Sequence, residues 1–110
     1  MLKFAISRTD PCGNGLLVEP VHVRDISRVG ALVTTRHQVE PSENVLLSIP
    51  TDQCPDSMGL PRAFVGSAEV VRTLGKIDHN TAIALRFSEV ISHNREFAVF
   101  LDFLREVAGQ

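Results

Sequence analysis

The chain has 110 residues, 44% of them hydrophobic and 22% charged, which suits one domain hiding about two-thirds of the surface its unfolded chain would expose. Eleven basic against thirteen acidic side chains give a formal net charge of -2, a balance that excludes disorder and argues against binding duplex nucleic acid. The charge is uneven, with five basic and three acidic residues in the first 37, so an anion finds its better place in that third.

No apolar run approaches the roughly 18 residues of a membrane span, and the stretch Met1–Arg8 breaks off too early for a signal peptide. The expectation is a cytoplasmic chain without membrane insertion, forming one domain over residues 1–110. Cys12 and Cys54 each lie beside a proline in turn-rich sequence, which favours two reduced thiols over a disulfide.

In chain order, Phe4–Arg8 reads as a short strand, closed by a turn in which Asn14-Gly15 tolerates left-handed backbone. Leu16–Ile26 is the returning strand, with Pro20 at a bend or an edge. Ser27-Arg28-Val29-Gly30 turns it into Ala31–Thr35. After the Pro41–Asn44 turn, Val45, Leu47 and Ile49 alternate on one face of a fourth strand that ends at Pro50. Residues 50–63, with three prolines and Gly59, form the longest loop. Phe64–Leu74 is a long strand whose Gly66 marks a bulge or a close backbone approach. Asp78-His79-Asn80 makes the next turn, and Thr81–Phe87 is the clearest strand, with Ile83, Leu85 and Phe87 on one face.

All Val, Ile and Thr residues except Val99 and Val107 precede Ser92, whereas Phe97, Phe100 and Phe103 follow it at helical spacing. The helix is expected over about residues 93–108, with Ser92 as N-cap and Gly109 as C-cap, although Arg95 stands where a capping box would carry Glu. Its stripe of Phe97, Phe100, Leu101 and Leu104 should be buried as a lid on the strands. The same stripe could serve a partner helix, but the segment is short for an independent coiled coil. Short strands punctuated by turns, followed by one helix, predict a mostly β fold: a small barrel or sandwich, the barrel over about 3–90, closed by the helix.

No chemistry of bond making is visible. Gly13-x-Gly15 lacks the third glycine of a dinucleotide fingerprint, and His22, His37, His79 and His93 are scattered without metal-ligand spacing. No nucleophile elbow surrounds Ser27. The expectation is a non-enzyme with no catalytic residue, no metal and no cofactor.

What remains is Asp25-Ile26-Ser27-Arg28-Val29-Gly30. Asp25 and Ser27 carry short oxygen-bearing side chains able to satisfy the N–H groups of a turn, and Gly30 can take a positive φ. By itself this is a weak motif and reads equally as a well-made β-turn. Its setting adds to it. Val23-Arg24-Asp25-Ile26-Ser27-Arg28-Val29-Gly30-Ala31-Leu32-Val33, then Val45–Pro50, Gly66-Ser67-Ala68-Glu69-Val70-Val71-Arg72 and Ala82–Phe87 resemble, in order and spacing, the PilZ domain family over about residues 16–104.

The resemblance implies a six-stranded antiparallel barrel followed by an α-helix, in a bacterial signalling domain that binds cyclic di-GMP. It implies that Asp25, Ser27 and Gly30, matching the family's Asp/Asn-x-Ser-x-x-Gly turn, hold a guanine edge. The family's second element, an upstream Arg-x-x-x-Arg pair that grips phosphates and stacks on guanine, has no match among residues 1–24, which contain Lys3, Arg8 and Arg24. Of the arginines near the turn, Arg24, Arg28 and Arg36, Arg28 is the best placed by sequence to replace the lost charge. Arg72 and Arg86 could face the same side, which strand alternation alone does not decide. Two readings follow: a receptor binding cyclic di-GMP weakly through Asp25, Ser27, Arg28, Gly30 and Arg24, or a barrel of the same family that binds a protein partner without nucleotide.

Overall fold

The computed structural model describes residues 3–9, 16–36 and 39–108. The expected Asn14-Gly15 turn, Cys12, His37 and the Gly109 cap lie outside them. The strands β1 (Lys3–Thr9), β2 (Leu16–Ile26), β3 (Gly30–Thr35), β4 (Asn44–Pro50), β5 (Ala63–Ile77) and β6 (Asn80–Phe87) close into an antiparallel barrel in the order β1-β2-β3-β6-β5-β4. Two helices follow, α1 (Glu89–Ser92) and α2 (Arg95–Ala108). None of the described helices is long and apolar enough to cross a membrane.

The alternation in sequence becomes the barrel interior. Val45, Leu47 and Ile49 of β4 and Ile83, Leu85 and Phe87 of β6 are all buried, together with Phe4, Ile6, Val21 and Val33. Closure suits this composition because each strand then hides one face and leaves no long edge to pair with another chain. Pro20 fits because it faces Ala5 in β1, while the pairing of β2 with β3 begins only at His22; its missing N–H breaks no observed rung there. The β5–β6 turn has Asp78 and His79 at φ of 51° and 69°, the left-handed pair that a two-residue hairpin of matching twist requires. The long loop contains a single 3₁₀ turn, Asp56–Met58.

Gly66 marks a close approach and not a bulge. A Cβ there would stand 2.8 Å from the Ile91 side chain, so the glycine lets α1 lie against β5. The bulges fall elsewhere. Register shifts between Val23 and Asp25 in β2, and between Val70 and Arg72 and between Thr73 and Lys76 in β5, insert extra residues into those strands.

The helical stripe covers one mouth of the barrel. Phe97 packs edge-on against Phe64 and Phe87, with ring centroids 5.3 and 5.6 Å apart, and Phe100 lies 5.6 Å from Phe64. Phe97, Phe100 and Leu101 are buried as expected; Leu104 is only half-buried, packed on the margin of the core. The N-cap also differs from expectation. Ser92 closes α1 and is itself buried, whereas the Asn94 Oδ1 accepts hydrogen bonds from the N–H groups of Glu96 (2.8 Å) and Phe97 (3.3 Å). Asn is as good a cap as Ser, and starting α2 two residues later lets α1 pack Ile91 into the core beside Gly66.

Leu101→Ala should therefore destabilise the protein by roughly 2–5 kcal/mol through lost burial and a residual cavity. In a denaturant titration the same truncation at half-exposed Val107 should stay within about 0.5 kcal/mol. Equal effects at the two positions would show that the stripe is not packed on the barrel.

Candidate functional site

The turn between β2 and β3 is built by its own side chains. The Ser27 N–H donates to the Gly30 carbonyl at 2.8 Å, the Ser27 Oγ donates to the same carbonyl at 3.3 Å, and the Val29 N–H donates to Ser27 Oγ at 3.4 Å. Asp25 Oδ1 accepts from the Ile26 N–H at 2.9 Å. Each of these bonds spans three residues or fewer, so Asp25 and Ser27 hold the turn as their chemistry predicts. Asp25, Ser27 and Arg28 are all exposed.

Gly30 is needed for a reason that the sequence did not suggest. Its φ is not positive; the left-handed glycines among the described residues are Gly59 and Gly75. Instead, a Cβ on Gly30 would sit 2.2 Å from the Leu85 carbonyl oxygen, a backbone atom that cannot swing aside. The bare backbone lets β3 come down on β6, and the Phe87 N–H donates to the Val29 carbonyl at 2.8 Å to complete that junction.

Arg28 crosses from the turn to the helices. Its Nε donates to the main-chain carbonyl of Ser92 at 2.9 Å, satisfying an acceptor at the end of α1 that the helix itself leaves unpaired. The turn is thereby joined to the segment leading into α2. Arg24 is the extra residue of the β2 bulge, since Val23 faces Val33 while Asp25 faces Leu32. It lines a depression of about 450 Å3 with His22, Thr34 and Asn80.

The Asp25 turn borders a different cleft, of about 290 Å3, on the outside of the barrel. Register explains its make-up. Asp25 faces Leu32, Leu32 faces Ala84, and Ala84 faces Arg72, so one row runs across β2, β3, β6 and β5. Neither end of the row would point outward under simple alternation. Val21 lies inward on β2 and Ala68 and Val70 lie inward on β5, which would send positions 23 and 25, and 72, inward as well. The extra residues Arg24 and Val71 reverse the parity, and Asp25 and Arg72 both emerge exposed beside the same cleft. Arg86, in the adjacent row, is paired with Glu69. Thus the structure brings Asp25, Ser27 and Gly30 together with Arg72 and sets Arg24 and Arg28 to either side. The sequence signal for Arg72 was the apolar pair Val70-Val71, which interrupts the alternation of β5 where the bulge occurs.

Elsewhere, Cys54 lines a depression with Asp52, Asp56 and Arg62. Burial, and secondarily the Asp52 carboxylate, push its thiol above the ordinary value, which suppresses the thiolate and hence nucleophilicity. Among the described residues no group of three His, Cys, Asp or Glu converges to hold a metal ion.

Two outcomes are expected. Gly30→Ala should cost about 1–3 kcal/mol by overpacking, since the added methyl collides with backbone, and thermal unfolding will register it. In a Cys12→Ser background, Cys54 should be alkylated near pH 8 more slowly than a cysteine peptide. Its rate should keep rising at pH values where the peptide has reached its plateau, because the thiol titrates later.

Compared with known proteins, the chain matches the family model of the PilZ domain over residues 3–101. No curated protein and no solved structure matches it at a significant level.

Proposed function

From a chain that belongs to the PilZ domain family, a family of binding and signalling domains, we propose a module that binds cyclic di-GMP at the Asp25–Gly30 turn. The carrying observation is that Asp25 and Ser27 stand exposed at a turn already ordered by its own hydrogen bonds. A guanine edge offers N–H donors, and a carboxylate beside a hydroxyl is a suitable acceptor set for them. Because the turn is formed before ligand arrives, little ordering entropy opposes the contact. Arg28 and Arg24 flank it and add positive charge.

Binding by this chain is weak. The ligand carries two phosphates, and residues 1–24 hold no Arg-x-x-x-Arg pair to grip them. Each lost charge-assisted contact is worth roughly 1.5–3 kcal/mol, so two absent arginines lower affinity by about two to four powers of ten.

A second reading, a nucleotide-independent interaction domain, is supported by the opposite side of the barrel. The outward rows Val18–Ser7–Leu46–Ser67 and Pro20–Ala5–Ser48–Val65 carry no charge, and Val18, Leu46 and Val65 are each more than half exposed. Uncharged surface of this kind suits contact with protein.

Titration calorimetry separates the two. The chain should show no tight site for cyclic di-GMP. An N-terminal extension supplying Arg-x-x-x-Arg should raise affinity by about two powers of ten or more, and Ser27→Ala in the extended chain should lower it again. Submicromolar binding without the extension would show the pair to be dispensable; no binding with it would favour the interaction domain.

A further inference from the structure

The cleft beside the turn has two chemically different ends joined by an apolar floor. At one end are the Asp25 carboxylate and the Ser27 hydroxyl; at the other is the Arg72 guanidinium; Leu32 and Ala84 lie between them in the same cross-strand row. We infer that this cleft seats one guanine–phosphate unit, with Arg72 taking the phosphate. The inference rests on the proposed binding of a guanine nucleotide at the turn and adds the residue and the stoichiometry of recognition.

Three observations single out Arg72. It is exposed, and among the described residues no hydrogen bond or ion pair engages it, so its whole fork of donors is open to a ligand. The other arginines near the turn are committed or displaced: Arg86 is paired with Glu69, Arg28 donates to the Ser92 carbonyl, and Arg24 lines the neighbouring depression. Third, the Val71 bulge is what turns residue 72 outward, and a bulge at such a place commonly re-aims a side chain toward a site.

The geometry also fits. Three inter-strand steps separate the Cα atoms of Asp25 and Arg72, about 14 Å in all. An arginine side chain leaning over Ala84 shortens that gap to the reach of a single nucleotide, base edge to phosphate. A phosphate at the Asp25 end would meet a carboxylate, so the anion belongs at the Arg72 end and the N–H edge of the base at the other. The uncharged floor of Leu32 and Ala84 accepts the flat base or sugar without removing water from a charge.

One guanidinium grips one phosphate. Cyclic di-GMP, with two equivalent guanine–phosphate units, then offers this chain little more than a mononucleotide does. Recognition should depend on the presence of phosphate and only weakly on cyclisation.

The test is an NMR titration of the chain, at low and moderate salt, with cyclic di-GMP, GMP and guanosine. Cyclic di-GMP and GMP should bind within about tenfold of each other and guanosine more weakly. Arg72→Gln should weaken the two phosphorylated ligands by about 10- to 100-fold, leave guanosine unchanged, and lower the salt dependence of their binding, because the screened arginine–phosphate attraction is gone. Arg72→Lys should retain most of that salt dependence, since the positive charge remains. The thermal midpoint of Arg72→Gln should equal that of the unmodified chain, since the side chain is exposed. If Ser27→Ala weakens binding but Arg72→Gln changes neither affinity nor salt slope, the inference is overturned while the nucleotide reading stands. Cyclic di-GMP binding more than a hundredfold tighter than GMP would overturn the one-unit seat. If none of the three ligands binds, the nucleotide reading itself fails and the seat fails with it.

Discussion

A closed barrel allows its strands no choice about which side chains face outward: every second residue points in, and only an inserted residue changes the order. Two such insertions, Arg24 in β2 and Val71 in β5, lie at one level of the wall, and the candidate site depends on both. Without them the carboxylate of Asp25 and the guanidinium of Arg72 would be aimed into a core of Val33, Ile83 and Leu85, where an unpaired charge is costly. With them, two charged groups reach solvent on one face while the positions before each bulge continue to fill the interior.

The turn is held from three directions. Local hydrogen bonds from Asp25 and Ser27 shape it, the absence of a side chain at Gly30 lets β3 meet β6, and the Arg28 Nε ties it to Ser92. The last tie matters because Ser92 stands between α1 and α2, and α2 is seated by Phe97 between Phe64 and Phe87. The aromatic lid and the candidate binding turn therefore share one end of the barrel and one hydrogen bond. Rigid placement of this sort favours binding by limiting what a ligand must order.

Family membership places the chain among binding and signalling domains; its own arginines decide how that applies. Arg24, Arg28, Arg72 and Arg86 all lie on strands or turns near the motif, yet they differ in what they can do. Arg86 is neutralised by Glu69, Arg28 is engaged by a main-chain carbonyl, and Arg24 faces a neighbouring depression. Counting basic residues would treat the four as equivalent, whereas their partners make them distinct.

The sequence by itself determined the features that depend on near neighbours. Val45-x-Leu47-x-Ile49 and Ile83-x-Leu85-x-Phe87 could bury one face only as strands, the Phe97–Leu101 stripe could do so only as a helix, and Asp25 and Ser27 carry the chemistry of a turn wherever that turn is placed. Tertiary structure decided whatever depends on a partner distant in the chain. Ser92 and Asn94 are both competent caps, and the burial of Ile91 and Ser92 gave the role to Asn94. Gly30 looks like a turn glycine, but the atom that excludes a side chain there is the Leu85 carbonyl on another strand. Arg72 reads as an inward position by alternation and faces outward because β5 must accommodate an extra residue against β6. Periodicity and hydrogen-bonding chemistry act over a few residues and are legible in order; register and close approach are properties of two segments at once, and they exist only when the barrel closes.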